Sequence, residues 1–221
     1  MTRPLDARQL DACVEGCAAT HQKLLETVDG LGDAEFAAPS LLPGWSRATL
    51  VGHLALNARS HVHLLECAGR GEVGQQYPGG AGARERGIDE LSTWSRAALV
   101  KELRSSVYAL EGAWAGAPSD TWLGTGTLAS GSVVAMHELP FLRWREIVVH
   151  LTDLDVGQGW DTWPSLYVRL ELERQKMAWA ASHAMGLTQL PKAALQLPEN
   201  QRLAWLLQRT EVEGLPKGLG F

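Results

Sequence analysis

The stretch Leu142–Gly157, "LRWREIVVHLTDLDVG", places a glutamate and a histidine in a largely apolar run. Glu146 and His150 are four residues apart, so on an α-helix their side chains lie one above the other on the same face. Burying a charged group without a partner costs several kcal/mol, so such a pair must be compensated. The stretch therefore predicts a helix whose inward face carries two polar groups that require a compensating partner.

In the rest of the first 157 residues, and in this stretch itself, apolar residues recur at helical spacing in four long segments. Ser46 is a good N-cap for the second of them, and Pro140 is tolerated in the first turn of the fourth. The predicted helices run from Leu5 to about Leu31, from Ser46 to near Gly69, from about Ile88 to Trp114, and from His137 or Glu138 to about Leu154. Four long helices joined by loops predict a four-helix bundle.

Two glycine-rich segments separate these helices. Residues 69–87 predict a polar, mobile loop, and "LGTGTLASGS" at residues 123–132 predicts a short hairpin or an irregular loop. The first segment lacks the strand, helix and lysine of a phosphate-binding loop, which argues against nucleotide binding.

The last third of the chain has a different pattern. A helix is predicted from Ser165 to Met185, ended by Gly186, and another follows Pro198. "AALQL" at residues 193–197 and the segment starting at Thr210 look like short strands. The predicted fold class is therefore mainly α, with a four-helix bundle at residues 1–157 and a small α+β C-terminal domain at residues 158–221.

Composition narrows the function. The chain has 221 residues, 45% of them hydrophobic, and a net charge of -5 without basic runs, so nucleic acid and anionic membranes are poor partners. No apolar stretch reaches membrane-spanning length, and the N-terminus lacks the apolar core of a signal peptide, which predicts a cytoplasmic protein. Cys13, Cys17 and Cys67 are interpreted as reduced packing residues, although a catalytic cysteine is an alternative.

A divalent metal would compensate Glu146 and His150 together. His53, close to the apolar stripe of the second helix, could supply a third ligand, and two histidines with one glutamate are typical of catalytic zinc with an open position. The alternatives are a buried salt bridge or a solvated helix edge for the pair, and a hydrogen-bonded core histidine at position 53. His21 could also face the core, more plausibly as a packing residue.

Two segments resemble the mycothiol-dependent maleylpyruvate isomerase family, part of the DinB-like metalloenzyme superfamily. They are "LPGWSRATLVGHLA" at residues 42–55 and "LRWREIVVHLTDLDVG" at residues 142–157. The resemblance implies a DinB-like bundle in which His53, Glu146 and His150 bind one zinc or similar divalent ion. "RLAWLLQRTEVEGLP" at residues 202–216 resembles the family's C-terminal domain and implies a catalytic role for Arg209.

The resemblance also implies a reaction, a step of aromatic compound catabolism. A small thiol, which could be mycothiol, glutathione or ergothioneine, would be held as thiolate by the metal and would isomerise maleylpyruvate to fumarylpyruvate. Arg209 would bind a substrate carboxylate, unless it is a solvated residue at a helix C-terminus. Asn57 could face the same cavity or an exposed polar surface.

Three functional interpretations remain open. The first is the thiol-dependent isomerase, with a small carboxylate substrate and a small thiol as partners, in a monomer or homodimer. The second is a thiol S-transferase that uses the same activated thiolate. The third is a non-catalytic helical binding protein whose polar triad is only a core network.

Overall fold

The computed structural model describes residues 6–183 and 188–221. The chain forms two compact units, which divide between Leu154 and Asp155. The described part of the first unit is built from seven α-helices and three short strands. The helices are α1 (Ala7–Asp29), α2 (Asp33–Ala37), α3 (Arg47–Gly69), α4 (Gly80–Ser92), α5 (Arg96–Gly116), α6 (Ser119–Leu123) and α7 (Leu139–Asp153).

The four long helices α1, α3, α5 and α7 form a bundle. Helix α1 packs against α5 and α7, and α3 packs against the same two helices. Helices α1 and α3, although consecutive among the long helices, are therefore diagonal neighbours. The buried side chains of α1 recur at three- and four-residue intervals, as a one-sided apolar stripe requires, whereas α3 and α7 are buried on most of their faces.

Local capping sets the ends of these helices. The Asp6 carboxylate accepts hydrogen bonds from the amides of Arg8 and Gln9 at the start of α1. The Ser46 hydroxyl accepts from the Thr49 amide at the start of α3, as predicted. The predicted first, second and fourth helices are confirmed to within a few residues; Leu5, the predicted start of the first, lies outside the described residues.

The prediction of one third helix from Ile88 to Trp114 is wrong. The structure has two helices, because α4 ends at Ser92 and the Ser95 hydroxyl accepts from the Ala98 amide to begin α5. The glycine-rich segment before Ile88 was predicted to be a mobile loop, which is also wrong. It contains a strand and the first half of α4, which packs on α3.

A small sheet lies beside the bundle. Its strands are β1 (Gly74–Gln75), β2 (Thr125–Thr127) and β3 (Val133–Ala135), in that order across the sheet. β2 and β3 pair antiparallel, so the hairpin alternative for residues 123–132 is confirmed. β1 pairs parallel to β2, which brings the chain between α3 and α4 next to the hairpin.

Helices α1 and α7 approach closely at Gly16. A Cβ atom at this position would lie 2.4 Å from two ring carbons of Trp144, so glycine is required for the observed packing. The Trp144 indole N–H also donates to the Thr20 hydroxyl at 2.8 Å. This contact fixes α7, which carries Glu146 and His150, against α1.

The second unit contains helices α8 (Ser165–Ala181), α9 (Lys192–Leu195) and α10 (Glu199–Leu206) among its described residues. The rings of Trp179 and Trp205 lie 5.4 Å apart in its core. The predicted end of α8 at Met185 and Gly186 lies outside the described residues.

The two predicted strands of this unit are wrong, since its described residues form none. "AALQL" overlaps α9, because Pro191 precedes a helical turn rich in alanine, a strong helix former. The segment after Thr210 forms turns, with Gly214 in the left-handed region at φ 78°. Among the described residues, no helix is both long enough and apolar enough to cross a membrane.

Candidate metal centre

Three side chains predicted to bind metal lie together between α3 and α7. The Nε2 atom of His53 lies 3.1 Å from Glu146 Oε2, and the Nε2 atom of His150 lies 3.5 Å from the same oxygen. One ligand atom from each residue lies within 4.8 Å of the other two. Ligands of a tetrahedral zinc ion with bonds of about 2.1 Å are about 3.4 Å apart. The donor types and their spacing therefore fit one divalent ion.

The second ring nitrogen of His150 is held by a carboxylate. His150 Nδ1 lies 2.8 Å from Asp153 Oδ2, and both residues are buried in the last turns of α7. A metal-binding histidine commonly donates its other N–H to such a carboxylate, which fixes the ring and leaves the opposite nitrogen for the ion. Asp153 therefore orients His150 Nε2 towards Glu146.

The second ring nitrogen of His53 faces a cation. The Arg84 guanidinium donates from Nη2 to His53 Nδ1 at 3.4 Å, from the first half of α4. The ring of Trp45 meets His53 edge-on, with centroids 5.6 Å apart. The two histidines of the cluster thus have opposite environments at their outer nitrogens.

Burial and hydrogen bonding shift the pKa values of the cluster. Burial alone would raise the pKa of Glu146, but hydrogen bonds with His150 and His53 hold that pKa well below its usual value. Burial lowers the pKa of His53, only partly offset by Glu146. Burial would also lower the pKa of His150, but Asp153 and Glu146 outweigh it and raise that pKa. Glu146 is therefore an anion and His53 is neutral, as metal ligands must be.

A cavity of about 460 Å³ lies next to the cluster, a volume in the range of small-molecule sites. His53 and Glu146 line it, and α4 and α7 contribute Arg84 and Arg145. Gln76, after β1, holds the wall in place: its amide accepts from the Ala129 backbone and donates to the Ser60 hydroxyl. The ligand cluster is therefore accessible to a small molecule from one side.

A buried network beneath the cluster joins all four long helices. Arg143, fully buried on α7, donates to His21 Nε2 at 3.1 Å and to the Leu54 carbonyl and Asn57 Oδ1, each at 2.8 Å. The opposite nitrogen of His21 lies 2.9 Å from Glu111 Oε1 on α5. Burial lowers the pKa of His21 to about 4, so the neutral ring accepts from Arg143 and donates to Glu111.

Residues 17–155 match the family model described as "Mycothiol maleylpyruvate isomerase N-terminal domain". The chain belongs to this family. The matched range contains the whole ligand cluster and the cavity beside it. Among curated proteins, none matches this chain.

Solved structures agree with this assignment. The crystal structure of a mycothiol-dependent maleylpyruvate isomerase is 27% identical, with a TM-score of 0.74, over 78% of this chain and 72% of that chain. A histidine-to-alanine mutant with the same description is 26% identical, with the same coverage and TM-score. YfiT from Bacillus subtilis, described as having an unusual four-helix bundle topology, is 14% identical over 70% of this chain and 90% of its own, with a TM-score of 0.56. The prediction of a mainly α, DinB-like four-helix bundle is confirmed.

Other predicted residues have clear positions within this family fold. Asn57 is buried, lines the cavity and accepts from Arg143, so the alternative of an exposed polar surface is wrong. His21 is buried in the Arg143 network, as expected of a core residue. The three cysteines are buried and free of disulfides, although Cys67 Sγ lies 3.6 Å from His63 Nε2. Cys67 does not line the cavity.

Arg209 lies in the second unit, just after α10. Its Nη1 donates to the Leu207 carbonyl at 2.8 Å, and its guanidinium lies over the Phe221 ring, 5.6 Å from the centroid. Its catalytic role stays a prediction.

Sequence reasoning missed Asp153, Arg84 and Arg143. Asp153 had a usable signal, because a carboxylate three residues after a histidine lies on the same helix face. Arg84 had none, since it reaches His53 from a segment predicted to be a loop. Arg143 lies in the same helix as Glu146 and His150, and only those two polar residues of the helix were assigned to its buried face.

Proposed function

We propose that the chain is a metal- and thiol-dependent cis–trans isomerase of maleylpyruvate, or of a similar unsaturated diketo acid. The observation that carries the proposal is the convergence of His53, Glu146 and His150 at the wall of a small-molecule cavity. Membership of the mycothiol maleylpyruvate isomerase family supports the same reaction.

The ligand set is suited to an open zinc site. Two imidazoles and one carboxylate leave one tetrahedral position for another ligand. A divalent ion held there, which we propose to be zinc, would supply the Lewis acidity that keeps a coordinating thiol deprotonated. Mycothiol is the thiol that the family name suggests; glutathione and ergothioneine are tested beside it.

The proposed reaction needs a reversible nucleophile. The thiolate sulfur bonds to one carbon of the cis double bond, and the π electrons move into the conjugated carbonyl. The remaining carbon–carbon single bond rotates. The electrons then return, the carbon–sulfur bond breaks, and the thiolate leaves behind the trans alkene. Atoms and charge balance without an oxidant or reductant.

The chain's own residues hold the reactants. Asp153 keeps His150 oriented, and Glu146 supplies the negative charge that a divalent ion requires. The cavity limits the number of water molecules around the thiolate and substrate. We propose that Arg209 binds a substrate carboxylate through two hydrogen bonds, as the family resemblance implies.

Product analysis with maleylpyruvate tests this proposal. The zinc-loaded protein is assayed without thiol and with mycothiol, glutathione or ergothioneine. Fumarylpyruvate should form only when a thiol is present, and His53→Ala should abolish its formation. Arg209→Ala should retain zinc while turnover falls by roughly a hundredfold or more, the effect of losing a charged contact at a desolvated site.

The variant in which Cys13, Cys17 and Cys67 are all serine is the control for the nucleophile. It should keep thiol-dependent turnover, because no cysteine lines the cavity. If the parent works without added thiol and this variant is inactive, the nucleophile is a protein cysteine and the mechanism is wrong. A stable thioether product instead of fumarylpyruvate identifies an S-transferase. If the protein binds zinc but forms no product, the remaining interpretation is a non-catalytic binding protein.

Several expectations accompany this proposal. We propose residues 1–157 and 158–221 as the two domains, with the metal centre in the first. We further propose a cytoplasmic monomer or homodimer that takes part in aromatic compound catabolism.

A further inference from the structure

Basic side chains outnumber acidic ones in the described lining of the cavity. Arg84 and Arg145 line it, and Glu146, a proposed metal ligand, is the only acidic residue among its described lining. A divalent ion at the cluster would more than neutralise Glu146. The loaded cavity would then carry net positive charge and favour an anion.

Arg84 is held only by neutral groups. Its guanidinium contacts the neutral ring of His53 and the Tyr77 hydroxyl, and it forms no ion pair with a carboxylate among the described residues. By contrast, Arg59 on the outer face of α3 pairs with Glu102 at 2.8 Å, and Arg104 on α5 pairs with Asp29 at 2.6 Å. Within the part of the chain that the structure describes, Arg84 is thus a cavity cation without a carboxylate partner.

The contact between Arg84 and His53 cannot persist when His53 binds a metal through Nε2. In the structure, His53 Nδ1 accepts a hydrogen bond from the Arg84 guanidinium. His53 Nε2 is the nitrogen that faces Glu146, so it is the nitrogen available to the ion. A neutral imidazole that gives its Nε2 lone pair to a metal carries its proton on Nδ1. Two N–H donors would then face each other, with no acceptor between them.

The missing acceptor distinguishes His53 from His150. His150 has Asp153 at its outer nitrogen, the usual arrangement for a metal-bound histidine. Among the described residues, the outer nitrogen of His53 contacts the Arg84 guanidinium and no carboxylate. One anionic group placed between His53 Nδ1 and Arg84 would accept from both donors and would supply the counter-ion.

We propose that a ligand carboxylate binds in the cavity between Arg84 and His53 Nδ1–H, where it completes the outer hydrogen bonding of the metal centre. This carboxylate subsite rests on the metal site of the proposed function and assigns Arg84 as the residue that binds the acid group. The carboxylate comes either from the unsaturated acid or from the thiol.

A second observation that favours a polar ligand in the cavity is a buried histidine in its lining. His61, only 2% exposed, lines the cavity, and its Nδ1 atom has no hydrogen-bond partner among residues 6–183 and 188–221. Burial and the nearby Arg143 lower the pKa of this histidine to about 3, so its ring is neutral. A buried polar atom without a partner is costly unless a ligand or water satisfies it.

The subsite predicts coupling between anion and metal. If a carboxylate bonds to metal-bound His53, it must tighten zinc binding, and zinc must tighten carboxylate binding by the same factor. The probes are maleate, which carries the carboxylates of the acid, and S-methylglutathione, which carries those of a thiol but cannot form a thiolate. Zinc affinity is measured by chelator competition with and without each probe, corrected for binding of zinc to the probe itself.

Four proteins are compared: the parent, Arg84→Gln, Arg84→Lys and Arg59→Gln. Arg59→Gln removes the same charge from the same bundle, outside the cavity. At least one probe should tighten zinc binding to the parent and to Arg59→Gln by roughly fivefold or more. The coupling should vanish in Arg84→Gln and be partly kept in Arg84→Lys. The probe that shows it identifies the source of the carboxylate.

Each outcome decides the proposal. Coupling that survives in Arg84→Gln means that the probe binds the ion directly, and it overturns the carboxylate subsite, as does absence of coupling with both probes. If zinc does not bind at all, the metal centre on which the carboxylate subsite rests is absent, and both the subsite and the proposed reaction fall. If the coupling is present but maleylpyruvate is not isomerised, the subsite stands and the proposed reaction falls.

Discussion

The Asp153 carboxylate lies 2.8 Å from His150 Nδ1, while the opposite nitrogen of that ring faces Glu146. Both residues are buried, so the contact is protected from solvent. The carboxylate fixes the ring and raises its basicity, which is the arrangement that the proposed role of His150 as a metal ligand requires.

Replacing this carboxylate should weaken metal binding without unfolding the bundle. We expect Asp153→Asn to lower zinc affinity by about tenfold or more, the usual effect of losing such an outer partner. Asp33→Asn is the control, because Asp33 has 92% of its side chain exposed. Chelator competition measures both affinities; equal affinities would mean that Asp153 does not prepare the site.

Removal of single histidines should separate the ligand from the core residue. We expect His53→Ala to lose zinc while it keeps its helical content, because only one edge of the cluster is removed. His21→Ala should keep zinc but lose stability, since Arg143 and Glu111 lose a buried partner. Elemental analysis and circular dichroism measure the two effects. Loss of zinc in both variants would contradict the choice of His53 as the third ligand.

Zinc affinity should fall with decreasing pH, beginning above the usual histidine range. The pKa of His150 is raised above 6.5, so a proton competes with zinc at this ring earlier than at an ordinary histidine. His53, with its lowered pKa, should not compete there. Affinities measured between about pH 5.5 and about pH 8.5 should show one proton released per zinc bound on the acid side.

The metal-free protein should show the opposite dependence for the same ring. A raised folded-state pKa means that protonated His150 stabilises the fold below its unfolded pKa, and this contribution is lost as pH rises through the folded pKa. The stability difference between the parent and Asp153→Asn should therefore shrink as pH rises. A difference that grows with pH would show that His150 is not the titrating group.

The contact between α1 and α7 should tolerate no added methyl group. We expect Gly16→Ala to destabilise the protein by about 1–3 kcal/mol, because a Cβ would lie 2.4 Å from the Trp144 ring. Gly112→Ala on α5 is the matched control. Its Cβ would meet nothing within 4 Å, so it should stabilise the protein by about 0.5–1 kcal/mol. Urea denaturation measures both, and similar effects would contradict the assigned packing.

Local chemistry explains what the sequence could predict. The start of α3 follows from the Ser46 hydroxyl, and the ligand spacing of Glu146 and His150 follows from helical periodicity. The break between α4 and α5 was missed because Ser95 caps a helix inside a run whose apolar spacing continues across it. The strand predicted at residues 193–197 reflects the same difficulty, since a short apolar run has no distinctive period.

Contacts across the chain explain what it could not predict. Arg84 reaches His53 across 31 residues, and Arg143 reaches His21 across 122. Sequence periodicity predicts neither contact, because the two partners lie on different helices and the segments between them are long and irregular. The order of the long helices around the bundle was equally out of reach, since apolar stripes do not specify which neighbours they meet.

The diagonal placement of α1 and α3 has a consequence for biosynthesis. Neither of the first two long helices can complete its core with the other, and His53 leaves the ribosome 93 residues before Glu146. A nascent chain that ends before α7 contains only His53 of the three proposed metal ligands. If the proposed metal centre is real, metal binding is therefore coupled to closure of the bundle, and chains that terminate before α7 should not bind zinc at this site.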